Sequence, residues 1–242
     1  MSKNKVNKGV ILMGGSGSRL YPLNEVCNKH LINVGGKPMA QWNVELLVES
    51  GVDDILIITG KEHMGSIVSY FGGGEEFGCK FTYKVQTEAG GIAQALKLVD
   101  GFVHKDEFFF TLLGDNIFED NIITHEINSN TNIMLVTKDV EDPERYGVMN
   151  ADLTHIVEKP TNPETNLAVV GLYGYKFTET FKNILFGLEK SDRSEIEVTD
   201  LNNYILDKSS SNQIVITKLN GYWTDAGTHE SLKVANEYKY RI

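Results

Sequence analysis

Short apolar runs alternate with segments of helical periodicity through the first half of the chain, and the alternation predicts a sheet flanked by helices. Val10–Met13 (VILM) and Asp54–Thr59 (DILIIT) have no polar face, as expected of strands buried on both sides. Phe81–Val85 and Glu107–Leu113 (EFFFTLL) continue the series. Between them, Met39–Ser50 carries apolar residues at helical spacing, opening after Pro38 and closing at Gly51. His63–Phe71 runs into the triple glycine Gly72–Gly74, and Gly91–Val99 predicts a further helix. Strands alternating with helices imply an α/β protein with a mainly parallel sheet covered on both faces. In such sheets ligands collect beyond the carboxyl ends of the strands.

The second half changes character. Thr131–Lys138, Gly147–Asn150, His155–Glu158 and Ala168–Tyr175 predict short strands with few helices between them, an antiparallel or mixed extension. Helices are expected over residues 122–128, Thr178–Phe186, Val198–Lys208 and His229–Tyr240, with one more strand at Ile214–Lys218 and a loop at Ser209–Ser211. No repeat, heptad seam or linker divides the chain, so a single sheet-centred domain over residues 1–242 is expected.

The most demanding stretch is Gly9–Pro38, where the first strand stops at Gly14, Gly15 and Gly17 and Arg19 follows. Glycines let backbone N–H groups approach a ligand closely, and a guanidinium never deprotonates, a combination suited to a polyphosphate. A dinucleotide fingerprint would need glycine where Leu20 stands. A P-loop would need Ser or Thr in place of Pro38 and glycine in place of Leu31. An ordinary strand-to-helix turn explains the glycines alone equally well; Arg19, Lys29 and Lys37 tilt the reading toward phosphate.

Bulk composition narrows the partners. With 41% hydrophobic and 23% charged residues the chain has globular proportions, and its net charge of −10 disfavours nonspecific nucleic-acid binding. Positive charge for a phosphorylated ligand must therefore be local. The two cysteines, Cys27 and Cys79, suit a reduced cytoplasmic protein, and the dispersed histidines form no zinc pattern. The apolar run after Lys3, Lys5 and Lys8 is too short for a signal peptide or a membrane span, so no membrane partner is expected.

Three further places carry chemistry. Asp115 follows the most apolar strand, where it either serves a ligand or shapes a turn. Glu158-Lys159-Pro160 ends another strand, and adjacent residues there face opposite ways, so the pair reads as two ligand contacts or as surface charge. Asp225 lies in the aromatic and glycine-rich Gly221–Thr228. Two aspartates from distant segments are able to share one Mg²⁺, which takes oxygen ligands and bridges carboxylates to phosphates, but nothing in the spacing pairs these two.

Taken in order, the motifs GGSGSRLYPL, NKHL with GGKPM, VQTEAGGIAQAL, LLGDNIF, DPERYGV, VEKP, VVGLYGY, RSEIEVTDLNNYIL and YWTDAGTHESL resemble the sugar-1-phosphate nucleotidylyltransferases, most closely their short thymidylyltransferase type. The resemblance runs from about Gly9 to Leu232. It implies a Rossmann-like nucleotidyltransferase core, with a mixed, mostly parallel central sheet, helices on both faces and a smaller β-rich sugar-binding extension. The nucleotide-binding half would cover about residues 1–130, and the sugar-binding half with the last helix residues 131–242.

It further implies Mg²⁺-dependent transfer from dTTP to glucose 1-phosphate, giving dTDP-glucose and pyrophosphate by in-line attack without a covalent intermediate. Leu12, Gly14, Gly15, Ser18 and Arg19 would bind the nucleoside triphosphate, Lys29 its phosphates, and Gln86 and Gly91 its base. Asp115 and Asp225 become the Mg²⁺ pair. Asn116, Tyr146, Gly147, Glu158, Val170, Gly171, Tyr173 and Trp223 would line the sugar site, with Lys159 and Arg193 on the sugar phosphate. Arg19, Lys29, Asp115 and Lys159 carry catalysis on this reading, and a homo-oligomer is compatible with it.

Departures from the commonest family pattern, at Met13, Asn33, Val170 and Ser194, leave the sugar open, the last two most directly. UTP or another hexose 1-phosphate fits the same chemistry, since Gln86 is able to pair with thymine or uracil. A catalytically silent nucleotide-sugar sensor is the alternative of another class, and the full set of charged residues argues against it. The extra helical C-terminal segment of longer relatives has no counterpart, so feedback regulation is not carried over.

Overall fold

A computed structural model describes residues 6–119, 123 and 127–240. In chain order the strands are β1 (Lys8–Met13), β2 (Asn33–Val34), β3 (Lys37–Pro38), β4 (Asp54–Gly60), β5 (Lys80–Gln86), β6 (Phe108–Leu113) and β7 (Asn116–Phe118). There follow β8 (Ile133–Asp139), β9 (Gly147–Met149), β10 (Ile156–Glu158), β11 (Leu167–Lys176), β12 (Ile214–Lys218) and β13 (Trp223–Asp225). The helices are α1 (Leu23–Val26), α2 (Met39–Glu49), α3 (Met64–Phe71), α4 (Ile92–Leu96), α5 (Glu179–Gly187), α6 (Val198–Lys208) and α7 (His229–Lys239). The helix expected over residues 122–128 falls largely outside the described residues.

The chain forms two compact units, and each is woven from separate stretches. The first comprises Asn7–Ala89, Leu112–Ile123 and Gly221–Ile242; the second chiefly Gly90–Thr111 and Thr124–Asn220. This division does not follow the halves expected on either side of residue 130. Gly90–Thr111 joins the later strands, and α7 with β13 joins the earlier ones. β6 spans one of the points where the chain passes from one unit to the other.

In the first unit β1, β4 and β5 pair in parallel, in that order, with Ile11 opposite Ile57 and Ile57 opposite Tyr83. The side chains of Val10, Ile11, Ile55, Leu56, Ile57 and Ile58 are all buried, which is why these segments lack a polar face. α2 packs against β1 and β7 and buries Met39, Ala40, Val44, Leu46 and Leu47. It ends where Gly51 takes left-handed backbone at φ +88°; the Gly51 and Val52 N–H groups donate to the Val48 and Leu47 carbonyls, a Schellman closure. β13 pairs antiparallel with β7, setting Asp225 opposite Asn116 and Trp223 opposite Phe118. The pairs β2–β3 and β7–β13 escaped the sequence reading, because two or three residues are too few to show a period.

The second unit is mixed, as the change in patterning implied. β11 pairs antiparallel with β8 on one side and β9 on the other, β10 adds antiparallel to β9, and β12 lies parallel to β8. The β11–β8 register shifts between Val169 and Tyr173. Such irregularities re-aim side chains, and this one holds Val170 and Gly171. Phe109, Tyr175 and Phe181 pack ring to ring in its core, and the Tyr175 hydroxyl donates to Asn202 Oδ1 at 2.7 Å. Among the described residues no helix is long and apolar enough to cross a membrane.

One device fixes the strand that carries Glu158. Asn203 on α6 accepts the Ile156 N–H at 2.8 Å and donates to the Ile156 carbonyl at 2.8 Å, so its amide stands in for a neighbouring strand along β10. Asn203→Ala leaves both backbone groups without protein partners. The expected loss is about 1–3 kcal/mol, read as a lower urea midpoint at unchanged slope; an unchanged midpoint would show that water replaces both bonds at no cost.

Candidate active site

Charge and backbone geometry meet in the first unit just beyond β1. Gly15 and Gly17 take left-handed backbone, φ +88° and +63°, a conformation that costs an ordinary residue about 1–2 kcal/mol. A Cβ on Gly14 would lie 2.6 Å from Gln86 Oε1, so the amide at the end of β5 rests against the loop backbone. Ser18 and Arg19 follow in a one-turn helix, both exposed, anchored by the buried Leu20. Leu20 packs with Val34, Met39, Ile117, Ala226, Leu232 and Ala235. Leu12 keeps its side chain buried, and its carbonyl accepts the Gly114 N–H at 2.9 Å, which ties the loop before Asp115 to β1.

Asp115 is the centre of this unit's chemistry. Its Oδ2 accepts the Lys29 ammonium at 2.6 Å and its Oδ1 the Asn116 amide at 3.0 Å. Lys29 and Asp115 expose only 14% and 12% of their side chains, so the pair is largely withdrawn from water. Burial opposes ionisation of Asp115, but the Lys29 charge and the Lys29 and Asn116 hydrogen bonds hold the carboxyl well below the ordinary carboxylate range. It is a carboxylate at any physiological pH. The next residue is fixed from three sides. Trp223 Nε1–H donates to Asn116 Oδ1 at 2.7 Å, and Asn43 Nδ2 donates to the Asn116 carbonyl at 3.0 Å. An indole N–H only donates, so it turns the Asn116 oxygen toward itself and leaves the amide nitrogen to Asp115.

The other partners converge on the same spot. The Ala226 N–H donates to the Asp115 carbonyl at 2.8 Å, which brings the Asp225 backbone alongside. A Cβ on Gly227 would meet Arg19 Nη2 at 3.2 Å and Asp115 Oδ2 at 3.5 Å. Beneath Lys29, the His30 backbone N–H and Nδ1 both bond to Asn28 Oδ1 at 2.8 Å. Burial, then the Lys29 charge, lowers the His30 pKa to about 3, so this imidazole is neutral and adds no second positive charge beside Lys29. Two carboxylates on paired segments offer hard oxygen ligands of the number Mg²⁺ commonly takes from protein. Among the described residues no group of three or more His, Cys, Asp or Glu is arranged for a metal.

The second unit holds a separate cluster. Glu158, at the end of β10, accepts Arg193 Nη2 at 3.0 Å on Oε1 and the Thr199 hydroxyl at 2.5 Å on Oε2. Lys159 takes left-handed backbone at φ +46°, and its N–H donates to the Tyr146 carbonyl at 2.9 Å. Its half-exposed ammonium stands 4.0 Å from Glu158 Oε1. A Cβ on Gly147 would come within 3.3 Å of Glu158 Oε2. Tyr146, Gly147, Glu158, Lys159 and Arg193 are thus brought together. Val170, Gly171 and Tyr173 lie on β11, which borders β9, and Tyr173 stacks on Tyr175.

The two units divide some of the expected sets. Asn116 and Trp223, expected at the sugar, belong to the first unit, where their polar atoms are bonded to each other beneath Asp115. Gln86 and Gly91, expected to read one base, fall in different units; Gly91 opens α4. Sequence reading missed Asn28, His30, Asn43, Glu197 and Thr199. Of these only Asn43 carried a signal, an amide at a helix position where the period calls for an apolar residue.

Known proteins bear on these geometries. A family model described as nucleotidyl transferase matches residues 8–240. Glucose-1-phosphate thymidylyltransferase of Neisseria meningitidis serogroup A is 36% identical over 241 residues, covering 96% of this chain and 82% of that protein. The enzyme of the same name from Xanthomonas campestris is 36% identical over 239 residues, at 96% and 80% coverage. The solved structure of a candidate glucose-1-phosphate thymidylyltransferase from Bacillus anthracis, complexed with sucrose, superposes with a TM-score of 0.87 at 44% identity, covering 97% of this chain and 96% of that one. A UDP-glucose pyrophosphorylase complexed with UDP-glucose shares the fold, with a TM-score of 0.83 at 22% identity, covering 98% and 99% of the two chains.

Replacing Lys29 by Met leaves a buried carboxylate without its cation, and the variant should lose about 3 kcal/mol of stability near neutral pH. The sign fixes the pH dependence. A lowered folded pKa contributes stability that is present above the unfolded value of about 3.9 and lost as pH falls toward the folded one. The gap between wild type and Lys29→Met should therefore narrow as the solution is acidified below about pH 4. Urea titrations across pH read this directly, and a gap of constant size would show that Asp115 does not titrate against Lys29.

Proposed function

The chain belongs to the nucleotidyl transferase family, and from that membership we propose that it is a glucose-1-phosphate thymidylyltransferase, making dTDP-glucose and pyrophosphate from dTTP and glucose 1-phosphate. The activity is nucleotidyl transfer to a sugar 1-phosphate, as its relatives' names describe. The observation that supports the reading is the convergence of Arg19, Lys29 and Asp115 on the Asp225–Gly227 backbone beside a glycine loop, a donor-rich place within an acidic protein. The free cysteines Cys27 and Cys79 suit a reducing cytoplasm.

In the proposed reaction an oxygen of the sugar phosphate attacks the α-phosphorus of the nucleotide. The new P–O bond forms as the α–β anhydride bond breaks, and pyrophosphate leaves with the electron pair. A phosphomonoester dianion is already a competent nucleophile, so the protein's work is to hold anions together in line. Lys159 and Arg193 hold the attacking phosphate, and the Glu158 carboxylate offers its remaining lone pairs to sugar hydroxyls. Lys29 faces the phosphate under attack, and Arg19 with the loop amides receives the departing charge. Asp115 and Asp225 would hold Mg²⁺, which supplies Lewis-acid neutralisation of phosphate oxygens. The amide of Gln86 pairs with the base edge.

Pyrophosphate release measured with dTTP and UTP against glucose, galactose and glucosamine 1-phosphates should give the highest kcat/KM for dTTP with glucose 1-phosphate. Asp225→Asn should lower kcat by about 10³-fold or more while melting within a few degrees of wild type. A preference for UTP would reassign the base. Release with no pair at all would turn the protein into a sugar-nucleotide sensor.

A further inference from the structure

The segment Ser191–Glu197 is bonded to itself around Arg193. The Ser191 N–H donates to the Glu195 carbonyl and the Ser194 N–H to the Ser191 carbonyl, both at 2.8 Å. The Ser191 hydroxyl accepts the Arg193 N–H at 3.2 Å and donates to Glu197 Oε1 at 2.7 Å. Ser194 takes left-handed backbone at φ +63° to complete the turn. The far end is fastened to the start of α4, where the Ile196 N–H donates to the Gly90 carbonyl at 2.8 Å and its carbonyl accepts the Ala93 N–H at 3.2 Å.

Within this loop Arg193 has two acidic partners of different kinds. Glu197 takes it as a fork, with Nε–H on Oε1 at 3.2 Å and Nη2 against Oε2 at 2.8 Å. Glu158 takes only Nη2, at 3.0 Å. The Glu197 side chain is 12% exposed and that of Glu158 29%. A planar guanidinium held along one edge by a carboxylate has a fixed direction, and its outer edge, the second N–H of Nη2 with Nη1, is left to meet an anion.

We propose that Glu197 is a positioning residue: by its two-point grip it aims the free edge of Arg193 at the sugar phosphate, while Glu158 is the contact that the phosphate replaces on Nη2. This rests on Arg193 being the phosphate ligand of the proposed reaction. Arg193 is thus held ready before substrate arrives, with Glu158 balancing its charge, and Glu158 is released to the sugar hydroxyls when the phosphate binds. A lysine at position 193 would lack the second edge.

The test compares Glu197→Gln, Ser191→Ala and Arg193→Gln with wild type, using KM for each substrate and inhibition by inorganic phosphate competing with the sugar phosphate. Glu197→Gln should raise KM for the sugar phosphate about tenfold, the size of one lost charge-assisted bond. It should weaken inhibition by inorganic phosphate in parallel, with KM for the nucleotide unchanged. Ser191→Ala, which keeps both charges and loses only the hydroxyl, should show a smaller change in the same direction. Weakened sugar-phosphate binding with unchanged phosphate inhibition would assign Glu197 to the sugar itself and overturn the proposal. Arg193→Gln impaired with Glu197→Gln at wild-type values would overturn it as well. Arg193→Gln with an unchanged sugar-phosphate KM would remove the reading beneath it.

Discussion

Lys29 and Asp115 form an ion pair at 2.6 Å that is almost out of reach of water, and the first unit is built to tolerate it. Withdrawing two charges from solvent costs several kcal/mol per ion unless their remaining valences are met. Here they are met on the carboxylate side by the Asn116 amide, which Trp223 and Asn43 hold in place. On the ammonium side, His30 stays neutral on the oxygen of Asn28. The elements that supply these groups, α2, β7, β13 and the segment after β1, are therefore tied together by one electrostatic requirement.

The second unit meets a similar requirement differently. Glu158 and Arg193 are more exposed, so their pairing is cheaper to form and to exchange. Arg193 rests between two carboxylates, and in the proposed reaction a phosphate entering there would replace one acceptor by another of the same sign. Such an exchange would keep the guanidinium charged, bonded and aimed throughout. Exchangeable pairing suits a group that must bind and release a substrate, whereas the buried Lys29–Asp115 pair suits one that must stay in place.

Both units borrow small polar side chains to do the work of backbone. Asn203 completes the free edge of β10, Asn28 caps the turn that presents Lys29, and Ser191 closes the loop around Arg193. Each places a charged residue without adding a charge of its own. In an acidic protein that economy adds no further negative charge at the two places.

Long periodic elements were legible without the fold: β1, β4, β6 and β11 as apolar runs, and α2, α5, α6 and α7 with ends within a residue or two. Burial on both faces leaves no polar positions in a strand, and a glycine such as Gly51 ends a helix for a purely local reason. The charged candidates Arg19, Lys29, Asp115, Glu158 and Lys159 were legible as well, because a glycine loop and strand ends are where such groups meet ligands. The sequence could not tell which of them meet. Asp115 and Asp225 are 110 residues apart, and only the pairing of two three-residue strands sets them side by side. Nor could it divide the chain into its two units, since Gly90–Thr111 and Gly221–Ile242 exchange places by contacts that leave no trace in local pattern. Glu197 reads along the chain as an ordinary acid in a motif. It becomes the grip on Arg193 only because a serine, a left-handed turn and two hydrogen bonds to α4 bend the loop back on itself.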